Sequence, residues 1–360
     1  MNPVFAPNQE STYSNVAYEL LGLVIENVTN QTFESYVTEA IFKPLNMTKS
    51  SLSPPPDSAG VIPLWPNYWD VDEGIQSPTG GIYTSSSDLS KFLRYFLTHY
   101  NGVTHAVNWL HPVSPATGLN SFYGMPWEIL ATDRILLKSR RTVKFITKSG
   151  GLPGYVTIII TVPEYDFGIT ILIAGNFDLL LKAQEIITVG VVRAAEEIAI
   201  RQLEERYAGT YASSNPDLNS TITLVADHRG LVVSEFISNA TDMMTPELRR
   251  IFGGPREGSS YVQLVPTLLF RNETAQEGEQ WRIAVVAERT EGEHPVWDDF
   301  CMTNVGGMVY AGIPADEIVF WGEKGQAIDT VELSGFRAKL SRQEDDDSEN
   351  VQSQEEILEL

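Results

Sequence analysis

Two short clusters in this sequence carry groups able to move a proton or hold a polar ligand. Tyr13-Ser14-Asn15 stands where an extended segment meets a helical pattern. Lys148-Ser149-Gly150-Gly151 stands at the end of a strand-like run that opens into a Gly-rich turn. Each cluster alone is a common structural pattern, a helix cap in one case and a strand-end lysine in the other. No better-known motif competes with them. The chain has no Gly-x-Ser-x-Gly elbow, P-loop, Cys-x-x-Cys pair or His-Glu-x-x-His. His99, His105 and His111 are six residues apart, a spacing that turns consecutive members of a helix to different faces, so no metal site is expected. Cys301, the one cysteine, reads as a small buried hydrophobe, and a disulfide within the chain is excluded. Nothing calls for a cofactor.

The elements that must position these clusters follow from periodicity. Val16, Tyr18, Leu20, Leu21, Leu23, Val24 and Val28 recur at helical spacing behind a cap at Ser14 or Asn15. A second helix is predicted over Phe33–Phe42, ending at Pro44. Next comes a Pro-, Gly- and aromatic-rich loop containing Leu64-Trp65-Pro66-Asn67-Tyr68-Trp69. A third helix opens with Ser85-x-x-Asp88 and buries Leu89, Phe92, Leu93, Phe96 and Leu97. From Thr142 the runs TVKFITK, YVTIIITV and FGITILIAG predict an antiparallel meander, closed by a helix over about residues 182–206. Beyond Tyr207 the chain reads almost wholly as strand, with Asp227-His228-Arg229-Gly230 as its clearest hairpin, which predicts a closed or sandwiched all-β domain.

Composition bounds the rest. With 42% apolar and 10% aromatic residues, 360 residues can fill the cores of two domains, which excludes a mostly disordered chain. The formal charge of −22 argues against nucleic acid as a partner. No apolar run reaches the ~18 residues of a membrane helix. Residues 341–360 hold eight acids and one base and read as a solvated acidic tail. Six Asn-x-Ser/Thr sequons, at Asn27, Asn30, Asn46, Asn219, Asn239 and Asn272, suit a glycosylated, secreted chain. The N-terminal residues, in contrast, lack the basic and apolar regions of a signal peptide.

In their order and surroundings the two clusters have a precedent. YSNVAYELLGLVIENVTNQTFESYV with IFKPLNMTKSSL, then SPTGGIYTSSSDLSKFLRYF, then FYGMPWEI, then KSGGLPGYVTIIITVPEYDFGITILIAGN, make four blocks. Together they resemble the serine β-lactamase and penicillin-binding-protein superfamily, in particular its class C and esterase-like branch. The resemblance runs from about Phe5 to Arg206. It implies an α+β fold, an antiparallel sheet with flanking helices. The part from Tyr207, opening YAGTY, looks like the lipocalin-like domain that follows this fold in fungal and bacterial relatives. The expected organisation is therefore residues 1–206, residues 207–340 as an all-β, barrel-like domain, and the tail 341–360.

The resemblance also implies a mechanism. A serine attacks an ester, amide or lactam carbonyl, and the acyl-enzyme is then hydrolysed. A phenol is a poor base at neutral pH unless cations stand beside it. On this resemblance Tyr13 handles the proton and Lys148 is its electrostatic partner, with Ser149 and Gly150 beside it. Asn15 orients the acyl side chain of a small-molecule or peptide-like substrate, and an N–H of Gly151 forms half of the oxyanion hole. The aromatic loop Leu64–Trp69 is a candidate wall of the acyl pocket, or a loop pinned by its own aromatics. One departure stands against these matches: the family's Ser-x-x-Lys turn precedes Tyr-x-Asn, and no lysine here has a serine three residues before it. The missing leader and the missing nucleophile are both expected on an upstream segment, and without it part of the core is exposed and the chain alone aggregates or is inactive. The functions carried forward are a serine hydrolase, a catalytically dead binding or regulatory protein with the same fold, and a transesterase or acyltransferase of secondary metabolism.

Overall fold

The computed structural model describes residues 6, 7, 9, 11–104, 109–246, 259–288, 309, 310 and 312–343. His105, His294, Cys301 and the acidic run 344–360 lie outside them. The chain forms two compact units divided between Ala195 and Glu196.

In the first unit, helices α1 (Asn15–Thr29), α2 (Phe33–Val37), α3 (Ser77–Gly80), α4 (Ser86–Thr104) and the first part of α5 (Asp178–Tyr207) accompany one sheet. Its strands are β1 (Ser114–Pro115), β2 (Ser121–Tyr123), β3 (Glu128–Thr132), β4 (Val143–Leu152), β5 (Tyr155–Val162) and β6 (Phe167–Ala174). They pair in sequence order and all antiparallel, the meander the three strand runs predict. One core packs Val143, Phe145, Ile158 and Ile160 of the sheet with Leu180 and Val192 of α5. A second joins Phe96 of α4 to Trp127, Ile129 and Ile146. α4 starts as its sequence indicates, with the Asp88 N–H donating to Ser85 Oγ at 3.3 Å. The Asp88 carboxylate, fully buried, accepts from Lys49 N, Ser50 Oγ and Lys91 Nζ at 2.7–2.9 Å, which satisfies it.

Two sequence expectations change in this unit, and α1 adds a feature that its periodicity does not report. The helix from Phe33 keeps α geometry only to Val37 and widens into a π turn over Thr38–Phe42. The lysine cluster does not open into a turn, because β4 continues to Leu152. Lys148, Ser149, Gly150 and Gly151 pair across β5 with Ile159, Ile158, Thr157 and Val156, and the turn itself is Pro153-Gly154. Gly154 is the glycine that the turn requires: its φ is +88°, and a Cβ there would stand 2.5 Å from Asn67 Cβ. The apolar stripe of α1 does not enter the core. Gly22 is its one buried residue, pressed on Pro78, and the Glu26 carboxylate faces inward to accept from Phe33 N at 2.8 Å. Val16, Leu20, Leu21, Val24 and Val28 are 54–78% exposed.

The second unit contains β7 (Gly209–Ala212), β8 (Thr221–Asp227), β9 (Gly230–Ser238), β10 (Thr241–Asp242), β11 (Ser260–Asn272), β12 (Glu277–Ala287), β13 (Val309–Tyr310), β14 (Ile313–Pro314), β15 (Glu317–Trp321), β16 (Thr330–Leu333) and β17 (Ala338–Arg342). Strands β9-β11-β12-β15-β16-β17-β7-β8 form a ring of hydrogen-bonded neighbours, which β8 closes by pairing with β9; β10 extends β9, and β13 pairs with β14 alone. Asp227 and Gly230 flank the two-residue hairpin between β8 and β9. The ring encloses side chains: Tyr211, Ile222, Leu224, Ile318, Phe320, Val331, Leu333 and Leu340 are at most 1% exposed. The last turns of α5 belong to this unit because Leu203 and Tyr207 pack on that core, which moves the division into the helix, before Tyr207. Ser341 and Arg342 are not part of a tail. They end β17, paired with Ala212 and Tyr211 of β7. Among the described residues no helix is long and apolar enough to cross a membrane.

Candidate active site

The two clusters, about 135 residues apart in sequence, meet in the first unit. Ser14 is the cap of α1, its Oγ accepting from Ala17 N at 3.2 Å. That cap holds Tyr13 just outside the helix and Asn15 at its first position, both exposed. Lys148 Nζ lies 5.1 Å from the centroid of the Tyr13 ring, over its face.

The partner of Lys148 is a residue that sequence reasoning missed. Glu128 Oε1 accepts from Lys148 Nζ at 2.8 Å, and Glu128 Oε2 accepts from Ser149 N at 3.0 Å and Ser149 Oγ at 2.8 Å. Lys148 Nζ also donates to Ser149 O at 2.7 Å. Strand alternation explains the placement. Trp127 and Ile129 are buried, so Glu128 between them points to the opposite face, and its register partner on β4 is Thr147. Thr147 Oγ1 secures the pairing by donating to Glu128 O at 2.9 Å. Burial pushes the Glu128 carboxyl up, but the hydrogen bonds from Lys148 and Ser149 outweigh it and hold the group below its ordinary range. The acid between two buried apolar residues of a short strand is the signal available in the sequence; its lysine is visible only through the register.

Strand lengths create an open edge here. β3 begins at Glu128, opposite Thr147, while β4 runs five residues further. Backbone groups of a strand alternate in direction. Ser149 N–H points to the β3 side, where it meets Glu128, so the N–H of Gly151, two residues on, points to the same side with no strand beyond it. Gly150, between them, turns its backbone groups to β5, where its partner is Thr157.

The aromatic loop is pinned and also presents apolar surface. Tyr68 N donates to Pro153 O at 3.0 Å, Tyr155 OH to Val61 O at 3.1 Å, and Trp69 Nε1 to Asp57 Oδ1 at 2.9 Å. The loop is thereby tied to the β4–β5 turn next to Gly151, while Leu64 and Trp65 stay exposed at 100% and 57%. All six sequon asparagines are exposed, and Asn30, Asn46, Asn219 and Asn239 adopt the positive φ of tight turns.

Comparison with known proteins agrees with this architecture. Residues 1–186 match the family model described as Beta-lactamase, and residues 199–344 match one described as Beta-lactamase-like-like, C-terminal domain. "Probable hydrolase M10" of Phoma sp. is 32% identical over 354 residues, covering 94% of this chain and 58% of that protein. "Beta-lactamase-like protein" of Arthroderma benhamiae is 29% identical over 358 residues, covering 90% of this chain and 59% of that protein. The chain thus spans less than three-fifths of the length of these curated relatives. A beta-lactamase/D-alanine carboxypeptidase structure from Yersinia pestis aligns over 50% of this chain and 55% of its own, at 19% identity and a TM-score of 0.41. With a family model matched over more than half its length, the chain belongs to the beta-lactamase family.

Proposed function

We propose that this chain supplies the proton-handling and substrate-holding part of a serine-type acyl hydrolase. The substrate is a small-molecule or peptide-like ester, amide or lactam. The meeting of Tyr13 with Lys148 beside an open strand edge is the observation that carries this reading. In it Tyr13 takes the proton of the attacking hydroxyl and returns it to the leaving group, with the Lys148 ammonium over its ring. Asn15 orients the acyl side chain. Gly151 N–H, aimed off the open edge, stabilises the oxyanion. Leu64 and Trp65 form an apolar wall for the acyl group. The attacking serine has no assigned residue among these 360, since none stands in a Ser-x-x-Lys turn. The exposed sequons support a secreted, glycosylated form.

A fluorescent fluorophosphonate tests the reading. The protein purified from its natural source, recognised by peptides of this sequence, is expected to be labelled, and a recombinant form of the same length to lose at least about a hundredfold in labelling rate on Tyr13→Phe. No labelling of the natural protein would leave the second reading, a binding protein that keeps the fold.

A further inference from the structure

We propose that Glu128 makes this site selective for uncharged acyl substrates, esters or amides with no anionic group next to the scissile bond, over substrates that carry a carboxylate there. The inference rests on the reading that substrate lies along Lys148–Gly151. An anion needs donors, and this corner offers three of them: Lys148 Nζ, Ser149 N and Ser149 Oγ. All three already donate to the two oxygens of Glu128. The ammonium has no direction left over. Its other contacts are Ser149 O at 2.7 Å and the face of the Tyr13 ring.

Glu128 is thus a built-in carboxylate on the cradle that a substrate carboxylate would use. It is held firmly, between buried Trp127 and Ile129 and by the Thr147 hydroxyl across the pair. The ion pair is only about one-third exposed, so water screens it incompletely. A second carboxylate would meet Glu128 as a like charge and find no free donor. A neutral acyl group needs no cation. It loses nothing here and retains the Gly151 N–H on the open edge. The side chain of Glu128 touches no position assigned to the reacting atoms, so it acts through Lys148 and Ser149.

The test uses the 360-residue chain carrying lysine labelled with 13C at Cε, with the Lys148 signal assigned by its loss in Lys148→Arg. It is titrated with benzenesulfonate, which stays anionic, and with neutral benzenesulfonamide. In the wild type neither is expected to move the Lys148 signal. In Glu128→Gln the sulfonate alone is expected to move it, with an affinity at least about tenfold above the wild type. A sulfonate shift in the wild type as large as in the variant overturns the proposal, and wild-type binding at Lys148 overturns it even if Glu128→Gln does not fold. A second readout is the ratio of kcat/KM for p-nitrophenyl butyrate over the p-nitrophenyl monoester of succinate, in the natural protein. It is expected to fall at least about tenfold in Glu128→Gln; an unchanged ratio refutes the proposal. Turnover of neither ester, together with no fluorophosphonate labelling, refutes the hydrolase reading instead, and the titration still decides the role of Glu128.

Discussion

Arg342 ties three segments of the second unit together. Its Nε donates to Ile328 O at 2.7 Å, Nη1 to Ala208 O at 2.7 Å, and Nη2 to Arg206 O at 3.0 Å and Tyr211 OH at 2.8 Å. One guanidinium thus joins the end of β17 to the end of α5 and to the segment before β16, and its plane stacks 5.1 Å from the Tyr211 ring. Arg342→Ala leaves Ile328 O, Ala208 O and the buried Tyr211 hydroxyl without this donor, while Arg206 O keeps the Ile328 N–H at 2.8 Å. Hydrogen bonds to a charged group contribute about 1.5–3 kcal/mol each, and water entering the partly exposed site reduces that to about 1 kcal/mol. With three acceptors orphaned, the expected loss is about 3 kcal/mol, a large part of the stability of any domain. Arg342→Lys keeps the charge but not the fork, and is expected to lose about 2 kcal/mol. Urea unfolding followed by hydrogen exchange at the β7 and β17 amides reports this unit separately. A loss below about 1 kcal/mol for Arg342→Ala would refute the reasoning, because the three orphaned acceptors would then have found equivalent partners. Burial is the main cause that pushes the Tyr211 hydroxyl up to about 12, and Arg342 acts against it, so the same variant should titrate higher still.

Three further outcomes follow from the structure. Leu20→Lys with Val24→Lys on α1 should cost less than about 1 kcal/mol per site, since both side chains are more than half exposed, and should lower self-association in sedimentation; a combined loss above about 3 kcal/mol would mean the stripe is buried in solution. In the first unit Glu128 and Asp88 titrate below their ordinary values of 4.5 and 3.8, their hydrogen bonds outweighing burial. The unfolded chain therefore takes up these protons first, so their stabilisation is complete above the ordinary values and is lost as pH falls through the lower folded ones; Glu128→Gln should flatten that acid dependence in urea midpoints. Secreted from a eukaryotic host, the chain should lose mass on peptide-N-glycosidase treatment, and Asn→Gln at the exposed turn sites Asn46, Asn219 and Asn239 should each remove one increment.

Some of this site was legible as sequence. Ser14 had the form of a cap, and a cap fixes where Tyr13 and Asn15 stand. The alternation and turn residues of 142–174 specify a meander, because each run can bury only one face and the turns between them are short. The order of the four blocks carried the family. The α1 stripe was legible as a helix but not as an exposed one, since periodicity reports which residues share a face and not what lies against it.

Sequence alone carried most of the elements, the family and the Tyr13 and Lys148 clusters, because capping, periodicity and turn chemistry act over a few residues. Tertiary structure decided the rest through register and strand length. Pairing Glu128 with Thr147 brought a carboxylate onto Lys148 and Ser149 from twenty residues away. Ending β3 there, while β4 runs on, left Gly151 N–H on an open edge. Closing the ring turned Arg342 from a residue of an acidic tail into the tie between β17 and β7. Each depends on contacts between segments distant in sequence, whose geometry is set by the cores that the strands share and by no local pattern.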